Sequence, residues 1–420
     1  MSKNSISASP AVIALGRAVS IVIGLLTTLL IARSLGPSGR GETAAALSAF
    51  FLVPIVLGFG LPLVVRRHAA RGYAGDVVRT TRALCLPILP AAAIVGALLV
   101  AWPLADLGES ARVVSFVGVT LAPITVLWLA DQSVLVAQNR YLGVATVQIT
   151  MPAVFGAVCL GEAIAGELTV TAVLIANIVA ACAALVVSSS LTRTPFRGGR
   201  EPAGAVAKES VTYAGGQAAE AASNRLDQVF LLPLMGSAEL GLYSIAATVA
   251  LAPLALAYAI TARSYSRIAN ADDGEQFEQQ AAAARAALYW SISAAGVIVA
   301  IAWWFVPLVF GSEFEAAVVP CMLAAVGTIG VVTSQVCSNA LAAVNRGLTM
   351  TLGQFVGLVV GIVLMILLAP PYGASGAAIA SSTGYLVTMV WVVARLHLRL
   401  ADVIPTRVRV GTALREMFVG

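Results

Sequence analysis

Residues 11–65 read AVIALGRAVSIVIGLLTTLLIARSLGPSGRGETAAALSAFFLVPIVLGFGLPLVV, two apolar runs joined by the turn Leu35-Gly36-Pro37-Ser38-Gly39-Arg40-Gly41. Each run reaches the roughly 20 residues that a helix needs to cross the hydrocarbon core of a bilayer. The glycines and the proline between them end one helix and start the next. The pattern returns at an offset of 200, where Met235-Gly236-Ser237-Ala238-Glu239-Leu240-Gly241 repeats the Gly-x4-Gly turn. A second pair, Ala137-Gln138-Asn139-Arg140-Tyr141-Leu142 and Ala343-Val344-Asn345-Arg346-Gly347-Leu348, has an offset of 206 and superimposes Gln148 on Gln354. Two matches at nearly equal offsets mark an internal duplication.

Outward from this hairpin, apolar runs bounded by charge, Gly and Pro fall at 11–33, 41–65, 83–105, 111–136, 141–161 and 170–191. They continue at 211–234, 241–262, 286–309, 317–343, 348–369 and 373–394. The composition agrees: of 420 residues 59% are hydrophobic and 11% charged, against about 25% charged in a soluble domain. With 25 Lys+Arg and 20 Asp+Glu, the chain cannot coat a water-soluble surface of this size. A soluble enzyme, a DNA-binding protein, a disulfide scaffold and a disordered chain are excluded. A transmembrane barrel is excluded too, because the apolar residues run continuously instead of alternating. Cys85, Cys159, Cys182, Cys321 and Cys337 all lie in spans, are odd in number and form no CxxC, so they read as small buried apolar residues. The first run lacks a small-residue cleavage site and reads as a retained helix.

Lys and Arg set the orientation. With the N-terminus cytoplasmic, twenty basic residues fall inside and only Arg33, Arg40 and Arg112 outside. The expected fold is therefore an all-α polytopic membrane protein of about 12 transmembrane helices, N-in and C-in. Its two six-helix bundles are related by a parallel pseudo-two-fold repeat. The bundles are expected at 1–191 and 211–394, with a cytoplasmic linker at 192–210 and a basic cytoplasmic tail at 395–420. The basic segments read as topology determinants and contacts to anionic lipid, or as a docking surface for a cytoplasmic partner. A nucleic-acid partner is not expected, since no polar domain carries the charge.

Catalytic signatures are absent. His68 and His397 sit at helix ends, and there is no HExxH, P-loop or Gly-x-Ser-x-Gly set. Neither an enzyme nor a cofactor or metal is expected. Charged residues inside spans mark functional sites instead. Arg17 lies about 9 Å into the bilayer at 1.5 Å per residue, at a depth similar to that of Asp131. The two read either as a structural ion pair or, for Arg17, as a cavity charge. The span 211–234 is the most polar: Gln217, Glu220, Asn224, Arg225, Asp227 and Gln228 share a sector of about 160°. Such a stripe cannot face lipid. It is a buried network neutralised by Arg225, or the wall of a hydrated cleft in which Glu220 or Asp227, with Asp131, are candidates for coupling a proton or Na+. The prolines at 54, 62, 87, 90, 123, 152 and 253 kink helices. The stretch Gly373–Ser382 offers a small-residue face for close packing.

Several of these residues resemble a family. Leu29-Leu30-Ile31-Ala32-Arg33-Ser34-Leu35-Gly36-Pro37-Ser38-Gly39-Arg40-Gly41 is similar to a signature of bacterial polysaccharide flippases of the multidrug/oligosaccharidyl-lipid/polysaccharide exporter superfamily. The segment from Arg225 to Leu232, with Gly236 and Gly241-Leu242-Tyr243-Ser244, resembles their turn between helices 7 and 8. Tyr372-Gly373-Ala374-Ser375-Gly376-Ala377-Ala378-Ile379-Ala380 resembles the opening of their helix 12. The resemblance implies two bundles that flip an undecaprenyl-pyrophosphate-linked oligosaccharide, the lipid-linked glycan of O-antigen type, across a bacterial cytoplasmic membrane by alternating access. It implies a substrate site in a central cavity where basic residues hold the anionic head. Arg17 fits that role by position, Arg225 is nearer the outer edge, and Gln217 and Asn224 line the same stripe. Membrane lipids and other polysaccharide-assembly proteins are the implied partners. Lipid II flippases of the superfamily usually have fourteen helices, which twelve helices count against. The alternative is a cation-coupled multidrug exporter with an acidic cavity at Asp131, Glu220 and Asp227. A membrane glycan polymerase or ligase would need a large outer loop, and every expected outer turn is short.

Overall fold

The computed structural model describes residues 11–344 and 346–398, except for the side chains at 11, 216, 217, 220, 223, 224, 256, 259, 262, 263, 266 and 273. The expected basic tail lies outside the described residues beyond Leu398. Every regular element among the described residues is helical. In chain order these are α1 (Ala11–Leu57), α2 (Leu61–Ala70), α3 (Ala74–Ala101), α4 (Glu109–Thr120), α5 (Ala122–Ala137), α6 (Tyr141–Ala165) and α7 (Val170–Thr192). Then come α8 (Ala203–Leu251), α9 (Leu254–Asn270), α10 (Asp273–Phe310), a 3-10 turn (Ser312–Ala317), α11 (Val318–Ala343) and α12 (Gly347–Arg395). Among the described residues eight helices are long and apolar enough to cross a membrane, or nine when α4 and α5, bent by 42° at Leu121, count as one broken span.

Helices α1, α8 and α12 have 47, 49 and 49 residues. At 1.5 Å per residue each is about 70 Å long, more than twice the thickness of the hydrocarbon core. Each contains one glycine with non-helical dihedrals: Gly36 (φ 65°, ψ −172°), Gly236 (φ 80°, ψ 168°) and Gly373 (φ 53°, ψ −136°). Each helix is thus two arms meeting at a glycine, at the three turns expected from the sequence. Gly36 and Gly236 share a conformation that L side chains avoid, so the repeat seen in the letters recurs in the backbone. In α12, Glu239 Oε2 accepts the Ala374 backbone N–H at 2.8 Å, satisfying an amide freed by the break.

Three expected spans are broken by proline. The run 41–65 stops at Gly58–Gly60 before Pro62, 111–136 stops at Leu121 before Pro123, and 241–262 stops after Leu251 at Pro253. Proline lacks the N–H and collides with the preceding turn, so α2 and α5 restart with the ring in the first turn and α9 restarts with Pro253 as its N-cap.

The chain divides into two compact units, Met1–Ala238 and Glu239–Gly420. The first arm of α8, grouped from sequence with the second half, lies in the first unit. There Val206 joins Leu61, Val64, Val65, Val77, Val126, Ala130 and Val134 in a core built by α2, α3, α5 and α8. A second core places Ile31 of α1 against Cys159 of α6 and Val173 and Ala176 of α7. In the second unit α11 is the central helix, and α12 closes on itself across its break. A Cβ on Gly357 would lie 2.6 Å from the Gly384 carbonyl oxygen, so the two arms touch backbone to backbone, as small-residue faces allow.

The segment 193–202 is tied down by the basic residues expected to meet lipid. Arg79 Nε donates to the Gly199 carbonyl at 2.6 Å and also pairs with Asp76. Arg82 donates to the Thr194 carbonyl at 3.2 Å, with its guanidinium 4.4 Å from the centroid of the Phe196 ring. Thr80 Oγ1 donates to the Glu201 carbonyl at 2.8 Å. At the start of α8, Glu209 bridges Arg67 at 2.8 Å and His68 at 3.0 Å. Hydrogen bonding to His68 holds the Glu209 carboxyl below the usual carboxylate range.

Candidate functional site

Gln228 and Arg225 on the first arm of α8 contact the second arm of α1. Gln228 is 2% exposed, and its Oε1 accepts from Ser48 Oγ at 2.9 Å. Arg225, half-buried, reaches the same Oε1 at 3.4 Å, and its guanidinium lies 5.8 Å from the centroid of the Phe51 ring. This is a long hydrogen bond and a cation–π contact. Asp227 is half-buried and engaged, its Oδ1 accepting the Gln228 backbone N–H at 2.8 Å. Gln217, Glu220 and Asn224 belong to this arm, and their side chains lie outside the described residues.

Arg40 is the residue that sequence reasoning assigned to an outer turn and that the fold buries. It stands in the first turn of the second arm of α1, four residues after the break at Gly36. It is 6% exposed, its Nε is buried without a hydrogen-bond partner, and Arg225 lies within electrostatic reach. A signal was present in the letters, since an arginine on the outer side runs against the charge rule for loops.

Asp131 belongs elsewhere. On α5 it is 2% exposed and accepts from Ser189 Oγ at 2.8 Å, Ser188 Oγ at 3.2 Å and Thr192 Oγ1 at 3.4 Å, all on α7. Arg82 is the cation in its field. Of the two readings of Arg17 and Asp131, the ion pair is not what surrounds Asp131, whose hydrogen-bond partners are hydroxyls. Arg17 lies exposed on the first arm of α1 and is engaged. Its neighbour Gly16 packs so tightly on α6 that an added Cβ would lie 2.8 Å from the Ala145 methyl. Ser20 Oγ donates to the Gln148 carbonyl at 2.9 Å. Gln148 Oε1 and its repeat mate Gln354 Oε1 are both buried without a partner.

Among the described residues no group of three or more His, Cys, Asp or Glu side chains is placed to hold a metal ion. In the first unit Arg225 lies beside the buried Gln228 amide and the Phe51 ring, and Arg40 is buried within its electrostatic reach. Guanidinium groups bind anions and neutral acceptors.

Comparisons with known proteins give a family and a fold. A family model described as polysaccharide biosynthesis protein matches residues 30–319. The fold is similar to a lipid II flippase MurJ in an inward closed conformation, with a TM-score of 0.75 at 13% identity over 97% of this chain and 91% of that one. It is similar to an inward-facing multidrug resistance transporter of the MATE family, with a TM-score of 0.71 at 15% identity over 91% of this chain and 98% of that one. A transporter of the MOP superfamily from Pyrococcus furiosus gives 0.62 at 14% identity over 92% and 94%. No curated protein sequence matches the chain.

Proposed function

The chain belongs to the polysaccharide biosynthesis protein family and has the fold of MOP-superfamily transporters, and from that premise we propose that it is a flippase for lipid-linked glycan. It carries a polyprenyl-pyrophosphate-linked oligosaccharide from the cytoplasmic to the outer leaflet of a bacterial cytoplasmic membrane. The observation that carries this reading is the pairing of family and fold: the chain is a multi-pass membrane protein folded as a transporter. In polysaccharide assembly such a chain moves the precursor and does not build it. It is therefore not an enzyme.

Twelve crossings follow when the two arms of α1, α8 and α12 count separately and α4 with α5 counts once. With both ends cytoplasmic, the breaks at Gly36, Gly236 and Gly373 face outward. The two bundles rock to open the substrate path to each side in turn. Arg17 meets the head near the cytoplasmic side, and Gln217, Asn224 and Arg225 line its path. Outward movement of a negative head gains about 2.3 kcal/mol per charge per 100 mV, so the membrane potential drives export. A coupling proton or Na+ would act at Glu220 or Asp227. The cage of α7 hydroxyls argues for a structural role at Asp131 instead.

A cation-coupled multidrug exporter is the alternative, supported by the likeness to a MATE transporter. Two neighbouring arginines in the first unit weigh against a cationic substrate there. The test is deletion of the chain followed by complementation. Loss of surface glycan with accumulation of the lipid-linked precursor is expected, restored by the wild type and not by Arg17→Ala at equal membrane abundance. Normal surface glycan in the deletion strain would refute the proposal.

A further inference from the structure

We propose that the segment 193–202 of the first unit is a docking surface for anionic lipid, with the Phe196 ring seated in the headgroup layer and Arg193, Arg197 and Arg200 on the lipid anions. Its assignment to the cytoplasmic leaflet rests on the orientation proposed above. The surface itself rests on the fold, and neither depends on what the chain transports.

The depth of the segment follows from α7. That helix, Val170–Thr192, is a membrane span of 23 residues. At 1.5 Å per residue it is about 35 Å long, and the hydrocarbon core is about 30 Å thick. Its last turn therefore ends at the edge of the hydrocarbon. Arg193 then takes a left-handed conformation (φ 52°), which stops the helix, and the chain turns across the start of α3. There its backbone is tied down. The carbonyls of Thr194, Gly199 and Glu201 accept from Arg82, Arg79 and Thr80. The segment is thus held within the headgroup layer, which adds roughly 5–8 Å on each side of the core.

The groups that the segment leaves outward decide its partner. Phe196 is 79% exposed although it lies outside the membrane spans. The Arg82 guanidinium, 4.4 Å from the ring centroid, covers one face of the ring. Aromatic rings flanked by basic residues settle at the boundary between headgroups and acyl chains. Arg193, Arg197 and Arg200 are exposed, and among the described residues none of the three forms an ion pair. The carboxylates that could screen them are engaged elsewhere. Asp76 pairs with Arg79, Glu209 pairs with Arg67 and His68, and Glu201 lies 4.0 Å from the His68 ring. Over 66–82 and 193–209 nine Arg and Lys stand against these three carboxylates. Uncompensated positive charge beside an exposed ring complements a bilayer surface bearing anionic lipid, at about fivefold in binding per arginine. Size weighs against a protein partner, since one exposed ring does not make the apolar centre of an interface of about 800 Å² per side.

The test uses the full chain reconstituted in vesicles of phosphatidylcholine and phosphatidylglycerol, with one of the two lipids brominated on its acyl chains at a time. Phe196→Trp places a fluorophore at the ring, and the signal of the six native tryptophans, read from the chain with Phe196 intact, is subtracted. At equal mole fraction and low salt the added indole should be quenched by both lipids, about fivefold or more in favour of phosphatidylglycerol. The preference should fade towards equality in about 1 M NaCl. Arg193→Gln, Arg197→Gln and Arg200→Gln should each lower it by up to about fivefold, and together they should abolish it at an unchanged thermal midpoint. Inorganic phosphate should release the indole no more than NaCl of the same ionic strength. Equal quenching by the two lipids at low salt would overturn the preference for anionic lipid. Quenching by neither would lift the segment off the bilayer and assign its charge to a soluble acidic partner. Release by phosphate beyond its ionic strength would assign it to a free anion, and a preference that survives the triple substitution would remove the arginines from the surface. No transport is measured, so each of these results leaves the flippase reading standing.

Discussion

Asp131 sits among three hydroxyls of α7, and they should not count equally. A hydroxyl has one proton to give. Ser188 Oγ lies 3.2 Å from the Asp131 carboxylate but 3.1 Å from the Leu185 carbonyl oxygen. Thr192 Oγ1 lies 3.4 Å from the carboxylate but 3.2 and 3.3 Å from the Ser188 and Ser189 carbonyls. Each has a backbone acceptor at least as near. Ser189 Oγ, at 2.8 Å, is committed to the carboxylate. A hydrogen bond to a charged group contributes about 1.5–3 kcal/mol, so Ser189→Ala should cost on the order of 2 kcal/mol. Ser188→Ala and Thr192→Val should cost about 0.5 kcal/mol as hydrogen bonds. Asp131→Ala, at a position 2% exposed, should cost about 2–4 kcal/mol by leaving Ser189 unpartnered in the interior. Asp131→Asn retains an acceptor and should cost about 1 kcal/mol. The measurement is a set of double-mutant cycles by reversible unfolding in mixed micelles. Coupling of about 1–2 kcal/mol is expected for Asp131 with Ser189, and below about 0.5 kcal/mol with the other two. Under the proposed function, glycan export by Asp131→Asn should respond to pH and Na+ as that of wild type does. Equal coupling to all three hydroxyls would refute the ranking, and an Asp131→Asn variant of native stability whose transport no longer responds to an ion would refute the structural assignment.

Other consequences are as direct. Gly236→Ala should destabilise by on the order of 1–3 kcal/mol through the backbone alone, because nothing lies within 4 Å of an added Cβ at that glycine; an unchanged thermal midpoint would show that the break relaxes. Glu239→Ala should cost about 1–2 kcal/mol by stranding the Ala374 N–H, whereas Glu239→Gln, which still accepts, should stay close to wild type; equal losses in both would point to the charge instead of the hydrogen bond. Glu209 has a carboxyl held below its ordinary value of 4.5 by His68 and Arg67. Its contribution is present above that value and lost as pH falls through the lower folded-state value. Hydrogen exchange at the end of α2 and the start of α8, corrected for its intrinsic rate, should therefore rise only below about pH 4.5, and Glu209→Gln should remove the step.

The sequence by itself determined the class of the molecule and its punctuation. Apolar runs of membrane-crossing length need no partner to be recognised, because every backbone group in hydrocarbon must bond within its own helix. Gly36 and Gly236 were legible as turns, because a left-handed backbone is a local demand that glycine meets, whereas Gly373 read as the start of a small-residue helix face. The prolines at 62, 123 and 253 were visible too, but whether a proline bends a helix or ends it depends on what packs around it, and here all three interrupt the expected spans. Only the tertiary structure decided which polar groups meet. Asp131 finds hydroxyls 57 to 61 positions along the chain, Ser48 finds Gln228 at a separation of 180, and Arg40 passes from a presumed loop into the interior beside Arg225. The first arm of α8, assigned from the repeat to the second half, is held by Val206 in the core of the first unit. Periodicity and propensity act over one or two helical turns, whereas partnership between side chains is set by how distant helices dock, and no local pattern of letters encodes that docking.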